Sequence, residues 1–139
     1  MTQTASSQGT TAPAGAPASV LLVDDEEIVR LALSRMLRSL GLAVTDAGDP
    51  VKAEQLVQSG EVAIDLLLTD IVMPGMNGRE LAERLRTARP DLPVVFMSAY
   101  VPETAFPDGR LPVRSRFLHK PFSRDDLRAA VEDILAEAG

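Results

Sequence analysis

The chain has 139 residues, 45% hydrophobic and 24% charged, with a formal net charge of −6 at pH 7, the composition of one globular domain. Its acidic balance speaks against nucleic-acid or anionic-membrane binding, which need a basic face, and with no cysteine and one histidine it has no disulfide, thiolate-zinc or histidine-cluster chemistry. No run approaches the ~20 apolar residues of a membrane span and the N-terminus lacks a signal-peptide pattern, so a cytoplasmic protein is expected.

Residues 1–19 carry no charge and almost no bulky side chain. Such a segment cannot bury enough apolar surface to offset the entropy of ordering, and a disordered tail is expected. The domain proper is residues 20–139. Within it, short apolar runs alternate with longer periodic ones. The runs VLLVD (20–24), LAVTDA (42–47), IDLLLTD (64–70), PVVFM (93–97) and RFLH (116–119) are bounded by Gly, Pro, Asp or Asn, as strands are. They are near-continuously apolar, which suits parallel strands covered on both faces.

The intervening segments have helical periodicity. Val29, Ala32, Leu33, Met36, Leu37 and Leu40 share one helical face, and Gly41 reads as the stop. Asp49–Pro50 is an N-cap followed by an N1 proline, with Ala53, Leu56 and Val57 inward. Asn77 with Glu80 predicts a capping box for residues 78–88. Ser123 with Asp126 opens a last helix whose inner face is Leu127, Ala130, Val131, Ile134 and Leu135. Strand–helix alternation with short links predicts a doubly wound parallel α/β sheet. Residues 99–115 break the pattern: Pro102, Pro107, Gly109 and Pro112 fall close together, and a proline inside a helix costs about 3 kcal/mol. An irregular segment, with at most a short helix, is expected there.

In such a sheet, function gathers at the carboxyl ends of the strands. Those ends carry Asp24 and Asp25, Asp70, Ser98 and Lys120. Two carboxylates ~5 Å apart repel by roughly 3 kcal/mol at an effective dielectric near 20, which calls for Lys120 and a cation. All-oxygen ligands with room for water suit Mg²⁺. A hydroxyl and an ammonium facing a carboxylate–cation pair suit a phosphoryl group.

The stretches VLLVDDE (20–26), LLLTDIVMPGMNG (66–78), FMSAY (96–100) and HKPFS (119–123) resemble the receiver domain of two-component response regulators, and the FMSAY and HKPFS ending resembles receivers attached to hybrid histidine kinases. The resemblance covers everything after the tail. It implies a flavodoxin-like, five-stranded sheet of order 2-1-3-4-5, with the fourth helix here short or irregular. It implies that Asp70 is the phosphoacceptor, and that Asp25, Asp70 and the backbone carbonyl of Val72 bind Mg²⁺ directly, with Asp24 acting largely through water. Ser98 would hydrogen-bond the phosphoryl group and Lys120 pair with it. Phe117 stands where the family has its aromatic switch, either mobile or a static core residue. Val72 and Tyr100 flank the approach of hydrolytic water, and Tyr100 either shields the pocket mouth or is simply exposed.

Ile28 and Leu31 lie off the core face of the first helix, beside the same edge, and with Pro121 and Phe122 are candidates for partner docking. The partner implied is a histidine kinase or histidine phosphotransfer protein. No DNA-binding or enzymatic segment follows the last helix, so output by protein contact is expected, from a relay intermediate, a phosphate sink or a target-binding protein. Receivers that dimerise through the fourth helix would lack it here, and a monomer is expected. Gly78 reads as a helix-opening residue, Met73, Met76 and Met97 as packing, and His119 as incidental.

Two other functions compete. A haloacid-dehalogenase-type phosphatase also uses a strand-end Asp, a hydroxyl residue, a Lys and Mg²⁺, but it needs a second acid where this chain has Val72. A receiver-like scaffold acting without phosphorylation is the other. A nucleotide-binding module is excluded, since neither GxxxxGK nor GxGxxG occurs.

Overall fold

The computed structural model describes residues 17–101 and 105–138. Most of the expected tail, residues 1–16, lies outside them, as do residues 102–104 of the proline-rich segment. Five strands, β1 (Ser19–Val23), β2 (Ala43–Ala47), β3 (Leu66–Asp70), β4 (Val94–Ser98) and β5 (Ser115–His119), form one parallel sheet of order β2-β1-β3-β4-β5. The helices are α1 (Glu27–Ser39), α2 (Pro50–Gln58), α3 (Gly78–Ala88) and α4 (Arg124–Ala138). This is the flavodoxin-like order. The first strand begins one residue earlier than the sequence suggested: the Ser19 N–H donates to the Asp65 carboxylate at 2.8 Å.

The side-chain alternation of each strand splits the core in two. On one face Leu21, Val23, Leu67 and Phe96 pack against Ala53 of α2 and Leu81 and Leu85 of α3. On the other, Val20, Leu22, Leu68 and Val95 pack against Leu33 and Leu37 of α1 and Leu127, Val131 and Ile134 of α4. The three inner strands are buried throughout apart from a half-buried Ser19, whereas the edge strands β2 and β5 are partly open. Covered on both faces therefore holds for the centre of the sheet only.

Local chemistry sets the helix ends. The Asp49 side chain accepts from the Lys52 N–H, with Pro50 opening α2. Asn77 and Glu80 form a reciprocal capping box on α3. Ser123 and Asp126 exchange the same pair of bonds at α4. Gly41, at φ +88°, ends α1 in a Schellman turn, its N–H donating to the Arg38 carbonyl and that of Leu42 to Leu37. One expectation fails: Ala32 is exposed and Ser34 is buried, because the buried stripe of α1 centres on Leu33 and Leu37 and leaves Ala32 at its rim.

Between β4 and β5 the described residues hold a single 3₁₀ turn, Pro107–Gly109, and no α-helix. Ala105 and Phe106 take over the packing a helix would provide. Both are buried, and the Phe106 ring meets Phe96 edge-on with centroids 5.0 Å apart. The Arg79 guanidinium, from α3, donates to the Ala105 carbonyl at 2.6 Å and ties the segment to the helix that follows β3.

Candidate functional site

Parallel strands end on one side of the sheet, so the loops after β1, β3, β4 and β5 meet at one edge. Asp24 and Asp25 follow β1, Asp70 ends β3, Ser98 ends β4 and Lys120 follows β5. One carboxylate oxygen from each of Asp24, Asp25 and Asp70 lies within 4.8 Å of the others. Asp24 is fully buried, Asp70 nearly so and Asp25 exposed. The Lys120 ammonium donates to Asp24 at 2.8 Å and reaches Asp70 at 3.5 Å. Three carboxylates thus face one paired ammonium.

That imbalance sets the electrostatics. Burial raises the Asp70 carboxyl above its ordinary value; the nearby Lys120 charge opposes this and the Asp24 charge reinforces it. Burial works to lower the Lys120 ammonium, but its hydrogen bond to Asp24 and the attraction of Asp24 and Asp70 outweigh that and raise it. Lys120 is therefore a fixed positive charge, and Asp70 is more basic than a free carboxylate.

The three acids are held differently. The Asp24 carboxylate accepts from the Glu26 N–H at 2.9 Å as well as from Lys120. The Ile71 N–H donates to the Met97 carbonyl at 3.0 Å, which continues the β3–β4 ladder past Asp70. Asp25 makes no hydrogen bond among the described residues. The Ser98 hydroxyl donates to the Tyr100 carbonyl and accepts from the Tyr100 N–H at 3.2 Å, so it is engaged in its own turn.

Asp70, Ser98, Lys120, Val72 and Tyr100 line one open cleft of about 230 Å³. Val72 and Tyr100 are 51% and 71% exposed at its mouth. An all-oxygen acid cluster opening on a cleft with room for water fits a hexacoordinate Mg²⁺. Phe117 is half-buried on β5, paired in register with Phe96 and packed on the core face that carries Phe106. His119 is exposed on the edge strand and Met97 is fully buried.

Beside the cleft, a groove of about 460 Å³ runs between α1 and the loop after β5. Ile28, 84% exposed, lines it with Val29, Ala32, Pro121 and Phe122. Leu31, exposed on α1, is not part of it; Ala32, one turn from Ile28, takes that place. The Lys120–Pro121 bond at its floor is cis.

Two residues matter more than their sequence signals suggest. Gly78 opens α3, as expected, but a Cβ there would stand 2.2 Å from the Asp70 carbonyl oxygen, and its N–H donates to the Ile71 carbonyl at 2.8 Å. Only glycine lets α3 start this close to β3; glycine directly after an N-cap asparagine is the sequence signal. Arg30 donates to the Asp24 carbonyl at 2.8 Å, and nothing in the helical pattern marks it.

The sequence model of the response regulator receiver domain family matches residues 20–132. The chain is 36% identical to the response regulator receiver protein CpdR of Brucella abortus over 86% of this chain and 98% of that one. It is 38% identical to the sensor kinase CckA of the same organism over 85% of this chain, but spans only 12% of that protein's length. Among solved structures, the receiver domain of the hybrid histidine kinase CckA superposes with a TM-score of 0.71 at 33% identity, covering 85% of this chain and 99% of that domain. A response regulator receiver protein from Sinorhizobium medicae gives 0.79 at 31% identity, covering 88% and 98%. With this fold, this edge and these relatives, the chain belongs to the response regulator receiver domain family of two-component systems.

Proposed function

We propose that Asp70 is the phosphoacceptor of a phosphorelay, taking a phosphoryl group from a histidine kinase or histidine phosphotransfer protein with Mg²⁺ and passing the signal on by protein contact. The observation that carries this reading is the three-carboxylate cluster around Asp70 answered by one paired lysine. A static structural site gains nothing from that excess charge, whereas a site for a divalent cation needs it, and the cation with Lys120 then suits a phosphoryl group.

In the transfer, a carboxylate oxygen of Asp70 attacks phosphorus. The O–P bond of an acyl phosphate forms as the N–P bond of the donor phosphohistidine breaks, and the imidazole leaves with the bonding pair and takes up a proton. Burial raises the Asp70 carboxyl above its ordinary value, which favours its carboxylate as a nucleophile. Lys120 pairs with the phosphoryl oxygens. Asp25, Asp70 and the Val72 carbonyl, with Asp24 through water, would hold Mg²⁺, which would supply charge neutralisation there. Ser98 reaches the phosphoryl group by giving up its bond to the Tyr100 carbonyl, an exchange that costs about 1 kcal/mol before the new charged bond repays it. That movement frees space beside β5 for Phe117, which couples phosphorylation to the surface. The groove lined by Ile28, Pro121 and Phe122 receives the donor protein's helix.

The test is incubation of the purified chain with a small phosphodonor and Mg²⁺, read by intact mass. Wild type gains ~80 Da, one phosphoryl group, and Asp70→Asn gains nothing. Equal labelling of both refutes the acceptor. No labelling of wild type, even by phosphohistidine proteins, turns the reading to a scaffold that acts without phosphorylation.

A further inference from the structure

Arg30 lies in the first turns of α1, five residues after Asp25, and its side chain is 17% exposed. The side chain turns back under the loop that carries the acid pair. Its Nη1 donates to the Asp24 carbonyl at 2.8 Å and its Nε to the Asp46 carboxylate, on β2, at 2.9 Å. The guanidinium occupies the space a side chain at residue 48 would fill: a Cβ on Gly48 would stand 2.9 Å from Nη1. Gly48 has no positive φ, so the reason for glycine there is room for the arginine.

The carbonyl that Arg30 holds belongs to the peptide joining Asp24 to Asp25. The Asp24 side chain has its own restraints, from Lys120 and the Glu26 N–H. Asp25 has none: it is exposed and makes no side-chain hydrogen bond among the described residues. The point from which its carboxylate reaches out is therefore set by the backbone alone, and the peptide entering it is held by the guanidinium. The Asp24 N–H, bonded to the Ala47 carbonyl at 3.3 Å, ties the same loop to the end of β2 that carries Asp46 and leads into Gly48. An ion pair with Asp46 holds the guanidinium's other edge, so its position is determined at two points.

The geometry points to Arg30 as a positioning residue for divalent-cation capture, orienting Asp25 through the Asp24–Asp25 peptide in the space that Gly48 leaves open. This rests on the cation reading above. Preorganising a flexible ligand removes an ordering cost that would otherwise oppose binding, and partners that orient metal ligands commonly change affinity by 10–100-fold.

The test is calorimetric titration of the metal-free full chain with Mg²⁺, alongside its metal-free melting temperature. Gly48→Ala is the main variant: the atom it meets is the far end of a flexible side chain, so the guanidinium is pushed off the carbonyl while the fold stands. Arg30→Met removes the guanidinium, and Arg30→Lys keeps the charge without the two-point fork. Gly48→Ala and Arg30→Met are each expected to weaken Mg²⁺ binding about tenfold, with Arg30→Lys between them and wild type. Gly48→Ala should keep its metal-free melting temperature within ~2 °C. In the double variant Gly48→Ala adds nothing further, since both changes remove one interaction. Wild-type Mg²⁺ affinity in Gly48→Ala and Arg30→Met, or independent losses in the double variant, overturns the role of Arg30 and leaves the cation reading standing. Absence of Mg²⁺ binding by wild type itself overturns both.

Discussion

At the scale of single residues, burial of Asp70 makes stability depend on pH. Because burial raises its pKa in the folded state, the folded chain holds the Asp70 proton more tightly than the unfolded chain does. Stability from this group is therefore full below the ordinary value of 3.8 and is lost as pH rises through the raised value. Asp70→Asn lacks that loss. It should melt higher than metal-free wild type at neutral pH, with the gap closing at acidic pH. A gain of ~1 kcal/mol, typical for relieving a functional site, is about 4 °C in a domain of this size. Millimolar Mg²⁺ should narrow the gap at neutral pH by stabilising wild type. Val72 and Tyr100 allow a second prediction. Both stand at the cleft mouth, and neither is a strong base. Replacing them with Asn and Glu should speed loss of the phosphoryl group about tenfold, which needs only ~1.4 kcal/mol of barrier. Decay in excess Mg²⁺ at the wild-type rate would show that they do not control the water. Asp24, Asp25, Asp70, Ser98 and Lys120 were legible in the sequence because each stands at the end of an apolar run. Arg30 was not, because a half-buried arginine on a helix has no periodic signature and its role depends on a glycine eighteen residues away.

At the scale of elements, the segment between β4 and β5 departs most from a regular alternation of strand and helix. Its prolines told that no full helix forms there; they did not tell what fills the space. Phe106, against Phe96, does so. Phe106→Ala should cost about 3 kcal/mol, as loss of a buried aromatic does, measured by chemical denaturation; a cost near zero would mean that the segment is not anchored by this ring. Gly78 sits where α3 meets β3. Gly78→Ala pushes a Cβ against the Asp70 backbone, not against a movable side chain, so about 1–3 kcal/mol of destabilisation should come with slower phosphorylation. Unchanged stability and labelling would contradict that close approach. The helix starts at Asp49, Asn77 and Ser123 were readable because a cap is local, made by residues three apart. The exposure of Ala32 was not, since it depends on where the groove beside α1 lies.

At the scale of the whole molecule, the sheet order brings four loops to one edge, and the cleft and the apolar groove lie side by side there. Periodicity alone showed the doubly wound class. The order β2-β1-β3-β4-β5 followed from the family resemblance, because nothing in the strand sequences themselves says which neighbours pair. On the proposed function, the cleft serves the chemistry and the groove the recognition of the donor. Ile28→Asp with Phe122→Ala should reduce transfer from a cognate phosphohistidine protein by about tenfold, ~1.4 kcal/mol of binding, while labelling by a small phosphodonor stays as in wild type. An equal loss with both donors would mean that the groove serves the cleft and not the partner. The position of the phosphoryl group tests the role of Asp70 most directly. An aspartyl phosphate is reduced by borohydride to homoserine, and peptide sequencing by mass spectrometry then reads the modified position. Homoserine is expected at residue 70 alone, formed only with both a phosphodonor and Mg²⁺; homoserine at Asp24 or Asp25, or at no position in fully labelled protein, would contradict Asp70 as the acceptor.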